Sequence, residues 1–330
     1  MHRRLRRPAV EGADGAARPM IRDRAWTVAV EGAPVRLDLF LLERCPSSRR
    51  ALVRRAIEVG AVTVNGRRAG KGLVLKPGDV VHVTELSEVD DPRVVPQPDL
   101  PLAMLGVSAS WVAVDKPAGW PTQPIRPGET GTLANALAAR HPECFQVGER
   151  DTGMGGLLHR LDRQTSGVVL AARTQTAWEE LRAQFARRAV EKTYLALVAG
   201  RLEGPARIAT PLAHDPRRPG RMCPGTEDAG LPAETRVEPV RNFGGLSLVR
   251  ATIRTGVTHQ VRCHLALLGH PIVGDRLYGG PPAGPGCDSR RHFLHAAAIS
   301  FPDPDGGGAI RIVSPVPPEM WGHGGWQGPI

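Results

Sequence analysis

The chain has 330 residues, with 43 Lys and Arg against 33 Asp and Glu and a formal charge of +10. Residues 1–85 hold 17 of the basic and 9 of the acidic groups, so a quarter of the chain carries most of the excess and the remainder is nearly neutral. A concentrated basic module points to a polyanionic partner, nucleic acid before a membrane surface, and no stretch approaches the roughly 20 continuous apolar residues of a membrane span.

The first 24 residues carry seven Arg among Gly, Ala and Pro without periodicity, which predicts a basic disordered tail. Met1–Pro8 has a basic start but no apolar run after it, so no secretory signal is expected. From residue 25 to 85 the pattern tightens. Val35–Leu42 reads as a short buried helix, and Ser47 or Ser48 is placed to cap a second one running to Val59, with Gly60 as its stop. Leu52, Val53, Ala56 and Ile57 share one face of that helix, and Arg50, Arg54 and Arg55 lie off it. Ala61–Gly66 reads as a strand entering an Asn-Gly hairpin turn, followed by short strands at Leu73–Leu75 and Val80–Val83. Arg67, Arg68 and Lys71 belong to this hairpin region. Charge alone fits a solvated face as well as an RNA-binding one.

The order of these elements narrows the choice. Val35-Arg-Leu-Asp38, Ser48-Arg49 and Ile57-x-x-Gly60-x-Val62-x-Val64-Asn65-Gly66 together resemble the S-four-type RNA-binding domain, an alpha-L fold, over about residues 34–84. The resemblance implies that the two-helix face grips RNA by phosphate and shape, with Arg49, Arg50, Arg54, Arg55 and Lys71 as its candidate contacts.

Residues 86–105, with prolines at 92, 96, 98 and 101, read as a semi-stiff linker. The body, residues 106–320, alternates β-rich runs (Trp111–Val114, Gly167–Ala172, Thr193–Val198, Leu246–Val249) with a few helices. Thr176-x-x-Glu179 has a capping-box pattern, and the Trp178, Leu181 and Phe185 stripe behind it reads as packing rather than a base platform. Residues 214–232, rich in Pro, Gly and Arg, read as a surface loop, and 321–330 as a tail.

One segment stands apart: Gly156-Leu-Leu-His159-Arg160-Leu161-Asp162-Arg163-Gln-Thr165-Ser166-Gly167. An apolar run enters it and another leaves it, so Asp162 sits on a turn between strands with a cation on each side in sequence. Such a carboxylate stays ionised and, if shielded from water, can act as a nucleophile or base. The same residue types equally suit a polar turn in which Asp162 and Thr165 satisfy local backbone groups.

His159-Arg160-Leu161-Asp162-x-x-Thr165-Ser166-Gly167 resembles the signature of the RluA-type pseudouridine synthases. Further blocks agree in order: Asp115-Lys116-Pro117-Ala-Gly119, Glu191-Lys192-Thr-Tyr194, Thr255-Gly256-x-Thr258-His259-Gln260-x-Arg262, Gly269-His270-Pro271-Ile272-x-Gly274-Asp275-x-x-Tyr278, and Arg291-x-x-Leu294-His295-Ala296. The resemblance implies an α+β domain with a mixed, largely antiparallel central sheet and flanking helices. Its activity would be isomerisation of uridine to pseudouridine in RNA, ribosomal RNA of the large subunit first and tRNA second. By the same resemblance Asp162 starts the reaction, Arg262 is its ionic partner, and Tyr194 stacks on the uracil and helps to remove its C5 proton. Arg160 would fill the space of a flipped base, Leu294 would pack on that base, and His159 and Thr165 would complete the substrate site. The reaction only rearranges atoms of one nucleotide, so no cofactor or metal is expected.

Some positions depart from the family pattern. Val257 stands where Arg is usual, Trp120–Pro124 lacks the usual His-Pro pair, and Asp303-Pro304 replaces another. His259, Cys263, His264, His292 and His295 lack the spacing of a zinc site. Five widely spaced cysteines without a C-x-x-C fit a reducing cytoplasm, and no heptad marks an obligate oligomer, so a monomer is expected. The rival from another class is a non-catalytic RNA-binding or ribosome-assembly factor on the same fold. Deleting residues 1–85 is expected to weaken RNA binding and flatten its salt dependence more than it slows the chemical step; an unchanged salt slope in a filter-binding titration would contradict RNA binding there.

Overall fold

The computed structural model describes residues 20–29, 34–45, 48, 50–70, 72–87, 94–125, 128–148, 154–282 and 291–320. The chain divides into two compact units, Met1–Asp91 and Pro92–Ile330.

The first unit runs β1 (Met20–Thr27), β2 (Val35–Arg36), α1 (Leu37–Arg44), α2 (Arg50–Val59), β3 (Val62–Val64), β4 (Arg67–Arg68), β5 (Val74–Leu75) and β6 (Val80–Ser87). Its antiparallel sheet has the order β1-β6-β3-β4, and β2 pairs with β5. Leu37 and Leu41 of α1 and Val53, Ala56 and Ile57 of α2 pack on Val62, Val81 and Val83 in one core. Asn65 and Gly66 both take positive φ, +51° and +74°, the backbone a two-residue type I′ turn requires. Asn65 also donates to Asp79 Oδ1 at 2.8 Å and accepts the Val80 N–H at 2.8 Å, so its side chain fastens the turn to the start of β6.

Residues 20–24 are not tail. They pair with β6 along the register Met20↔Ser87 to Thr27↔Val80. This is an edge strand that stays mostly exposed, so it carries no apolar alternation for the sequence to reveal. β6 likewise extends through Ser87, and a cut after Asp91 leaves both units whole.

The second unit contains β7 (Ala103–Val107), β8 (Trp111–Lys116), α3 (Leu133–Arg140), a 3₁₀ turn (Pro142–Phe145), β9 (Ser166–Ala172), α4 (Gln175–Ala186), β10 (Glu191–Ala199) and β11 (Ala206–Ile208). There follow β12 (Leu212–His214), β13 (Met222–Pro224), β14 (Thr235–Phe243), β15 (Leu246–Ile253), α5 (Gln260–Leu267), β16 (Leu294–Pro302) and β17 (Ala309–Val313). The central sheet has the order β11-β14-β15-β10-β16-β9-β8-β7, and β17 pairs with β16. All its pairings are antiparallel except a two-residue parallel seam between β9 and β16, His295↔Ser166 and Ala296↔Gly167. Alternation on β8 and β9 sends Val112, Val114, Val169 and Ala171 toward Leu133 and Leu137 of α3. The opposite face sends Ala113, Val168 and Leu170 toward Ala177 and Leu181 of α4. Helices on both faces explain why β9 is buried at every position.

Three expectations change here. The segment from 94 to 105 is part of the second unit rather than linker. Val94 is buried, Asn135 Nδ2 donates to Val95 O at 2.8 Å, Gln97 N donates to Asn135 O at 2.9 Å, and β7 begins at Ala103. A Pro-rich segment without helix or strand lacks periodicity, but one buried Asn ties its backbone down at Val95 and Gln97. Helix α4 is capped by Thr174, whose hydroxyl accepts from the Ala177 N–H at 3.2 Å, two residues before the expected box. The presumed loop 214–232 contains one arm of the β12–β13 hairpin, whose Met222 is buried beside Tyr278.

Gly167 sits on the seam at φ +115°, and a Cβ there would run into the Ala296 carbonyl. Gly167→Ala is expected to destabilise the fold by about 2–5 kcal/mol through strain and overpacking, read as a lowered urea midpoint. A midpoint within error of wild type would contradict the close approach at the seam.

Candidate active site

The loop before β9 is tied down at nearly every residue. His159 Nε2 accepts the Leu170 N–H at 3.1 Å, and its ring tilts against Phe185 with centroids 5.6 Å apart. Burial pushes the His159 pKa down to about 3, so it is a neutral acceptor whose work is to brace the loop. Thr122 Oγ1 donates to Leu161 O at 2.8 Å and accepts the Leu161 N–H at 3.1 Å. Lys116, fully buried, spends its ammonium on the carbonyls of Trp120 (2.7 Å), Pro117 (2.9 Å) and Arg163 (3.2 Å). Its pKa falls to about 7, driven by burial and partly offset by Asp162. Thr165 N–H donates to Asp162 O at 3.0 Å, and Thr165 Oγ1 lies 2.8 Å from His292 Nε2. The turn reading and the reactive reading of Asp162 therefore coexist: its backbone makes the turn and its side chain is left for the cleft.

That carboxylate faces α5. Arg262 Nη1 donates to Asp162 Oδ2 at 2.8 Å. The rest of the guanidinium grips Asp275, Nε to Oδ2 at 2.7 Å and Nη2 to Oδ1 at 2.9 Å. Both Arg262 and Asp275 are buried. Burial works against the charge on Asp162, but His259, Arg262 and His292 outweigh it and hold the carboxyl below the ordinary value of 3.8. On the other side, His259 Nε2 lies 3.7 Å from Asp162 Oδ1. Residue type alone offers His259 only as a metal ligand, because its neighbours in space, Asp162 and Tyr278, are about 100 and 19 positions away in sequence.

A cavity of about 550 Å³, within the usual range for small-ligand sites, opens beside Asp162. Tyr194, Leu294, Arg160, Arg262, Thr165 and His159 all line it, so the structure gathers every expected catalytic and substrate residue at one place. Tyr194 stands on β10 between Ala251 of β15 and Ala296 of β16, two small neighbours that leave room for its ring. Burial, with a smaller contribution from Asp162, raises the Tyr194 phenol well above its ordinary value, so it is protonated at neutral pH. Lys192 also lines the cavity, which sequence reasoning passed over. Its Nζ donates to Thr255 O at 2.8 Å, and burial lowers its pKa to about 8. Val257 lines the wall as well and packs with Tyr278 and Cys263.

Among the described residues no group of three or more His, Cys, Asp or Glu is arranged to hold a metal ion. The histidines weighed as ligands are engaged singly: His264 with Thr235 Oγ1 and Thr210 O, His295 with Ser166 and Ser314. In the first unit Arg54 and Arg55 are exposed on α2. Arg50 is the first residue of α2, and Arg49 and Lys71 lie outside the described residues.

Two family patterns match the sequence: RNA pseudouridylate synthase over residues 110–267 and the S4 domain over residues 35–81. An uncharacterized RNA pseudouridine synthase of Chloroflexus aurantiacus is 37% identical over 86% of this chain and 87% of its own. The ribosomal large subunit pseudouridine synthase D of Xylella fastidiosa is 35% identical over 90% of each chain. The solved structure of human RNA pseudouridylate synthase domain containing 1 covers 65% of this chain and 83% of its own, with 27% identity and a TM-score of 0.51. With the cleft around Asp162, the α+β fold and these relatives in agreement, the chain belongs to the RNA pseudouridine synthases, isomerases that act on RNA, and carries an S4 domain ahead of the catalytic body.

Proposed function

We propose that this protein converts uridine to pseudouridine in large-subunit ribosomal RNA, with Asp162 as the residue that begins the reaction. The observation that carries the assignment is the Asp162–Arg262 contact at 2.8 Å on the wall of a cavity that also holds Tyr194. The relatives named ribosomal large subunit pseudouridine synthase D support the choice of RNA, since they match over nearly the whole chain.

Forming pseudouridine breaks the bond from uracil N1 to the sugar, turns the base while it is held, and rejoins it through C5, with loss of the C5 hydrogen and gain of one at N1. Asp162 starts this either by attacking the anomeric carbon or by taking a sugar proton. Both routes need the same thing, an ionised oxygen not consumed by its partner. Arg262 holds Oδ2 and leaves Oδ1 for the substrate. Tyr194, held protonated by burial, offers a ring face to the uracil and a hydroxyl donor rather than a base. Leu294 gives the base an apolar contact. Arg160, exposed at the cavity rim, fills the gap left in the RNA when the uridine swings out. The first unit supplies affinity through Arg54 and Arg55, with Arg49, Arg50 and Lys71 in the same role. We place the protein in the cytoplasm as a monomer: Cys45, Cys144 and Cys263 are buried free thiols, and the sequence carries no heptad to hold a second copy. Among the described residues no helix is long and apolar enough to cross a membrane.

Asp162→Asn is expected to lower turnover by at least about 1,000-fold while RNA affinity stays within a few fold, read by release of the uracil C5 hydrogen as tritium and by filter binding. If the wild-type protein modifies no uridine in total RNA from a strain lacking it, the non-catalytic assembly factor becomes the better reading. The pH profile gives a second check. Because the folded-state pKa of Asp162 is depressed, its charge is present above the ordinary carboxylate value of 3.8 and is lost only below it. Removing Arg262 takes away both its charge and its hydrogen bond, two of the influences that lower the Asp162 pKa, while burial still raises it, so Arg262→Met should move the acid limb of kcat to higher pH; a limb that stays in place would show that Arg262 does not hold Asp162 ionised.

A further inference from the structure

His259 has an unusual setting. It precedes α5 in the left-handed region at φ +55°, an uncommon conformation for any residue but Gly although Asn, Asp and His adopt it more often than the rest, and it makes no side-chain capping bond to the helix it begins. Capping therefore does not account for its presence there. Backbone conformations of this kind persist where surrounding contacts over-determine them, and the contacts of this side chain lead to the cleft.

The imidazole bridges two groups. Nδ1 lies 3.1 Å from Tyr278 Oη, and Nε2 lies 3.7 Å from Asp162 Oδ1, the oxygen Arg262 leaves open. Tyr278 Oη already accepts the Met222 N–H at 2.9 Å. Among the described residues, His259 Nδ1 is then the acceptor for the buried phenol's own proton, so the ring proton resides on Nε2 and points toward Asp162. Tyr278 is itself fixed, with the His259 ring edge-on at 5.8 Å and the Arg221 and Arg262 guanidinium groups 5.5 and 5.2 Å from its centroid. The charged groups facing His259 are Asp162, Arg262, Asp275 and Arg160. The 3.7 Å gap is longer than a hydrogen bond, as catalytic contacts often are before substrate arrives.

We propose that His259 is a positioning residue for Asp162: it steadies Oδ1 from the side opposite Arg262, in a tautomer set by Tyr278. The inference rests on the reading of Asp162 as the initiating group. Arg262 alone leaves the carboxylate free to swing about its single hydrogen bond; a second donor defines the plane in which Oδ1 meets the sugar. Tyr278 acts through His259, and the Met222 backbone of the β12–β13 hairpin acts through Tyr278.

The test uses full-length protein in the tritium-release assay with five variants. His259→Asn places an amide near Nδ1, keeps the Tyr278 side and loses the donor to Asp162. His259→Gln carries its amide nitrogen near the position of Nε2. Expected is a fall in kcat of about 10–100-fold for H259N with KM within about twofold, since misplacing a reacting group costs turnover rather than binding. H259Q should recover most of that loss. Tyr278→Phe should lower kcat by less, and adding it to H259N should cost little more, the non-additivity expected of residues acting in one chain. Equal turnover for H259N and H259Q, or a loss confined to KM, would overturn the proposal. Asp162→Asn in the same assay separates the two readings: if it turns over normally the assignment of Asp162 fails, whereas a dead D162N beside a fully active H259N sinks only the role of His259.

Discussion

Arg262 shared between two carboxylates is the constraint around which this cleft is built. A guanidinium has donors on two edges, and here one edge closes a bidentate pair with Asp275 while the remaining nitrogen reaches Asp162. The Asp275 pair fixes the cation so rigidly that Asp162 meets a preset charge rather than a mobile one. Removing one member of such a buried group would leave uncompensated charge, typically costing about 3–5 kcal/mol. Three residues from the turn before β9, from α5 and from the segment after it are thus bound to one another before any RNA arrives.

The neighbouring backbone serves the same end. Lys116 draws the carbonyls of Pro117, Trp120 and Arg163 together, so the early loop and the loop that carries Asp162 share one cation. Tyr194 and Leu294 come from β10 and β16, adjacent strands in the centre of the sheet, where position is fixed by hydrogen bonding on both sides. The chain has only two tyrosines, and both stand at this place, one lining the cavity and the other behind Arg262 and His259. Elsewhere in the body many Arg residues are paired on the surface, as in Arg254–Glu191 and Arg207–Glu234. Such pairs add little stability.

Local chemistry was well legible in the sequence. Asn65-Gly66 dictated its turn, Gly60 its helix stop, and the apolar runs around Val112 and Val168 their strands. The signature around Asp162, through its resemblance to known synthases, also picked out Arg262 and Tyr194, which the fold then brings to the same cavity. What escaped was whatever depends on partners distant in sequence. The first part of β1, residues 20–24, reads as tail because an exposed edge needs no apolar rhythm, and residues 94–105 read as linker because Asn135 reaches them from 40 positions away. His259 lies in one of the blocks that resemble known synthases, but nothing local to it indicates a role. Its neighbours Asp162 and Tyr278 become visible only when α5 is laid beside the loop before β9.

The seam between β9 and β16 has a consequence for the order of assembly. Ser166 and Gly167 find their strand partners 129 residues later, at His295 and Ala296, and the groups that position Asp162 arrive between Thr258 and His295. As the chain leaves the ribosome the RNA-gripping unit is therefore complete some two hundred residues before the cleft can close. A nascent molecule can hold RNA while it is still chemically silent, and reactivity is conferred by almost the last strand to be made.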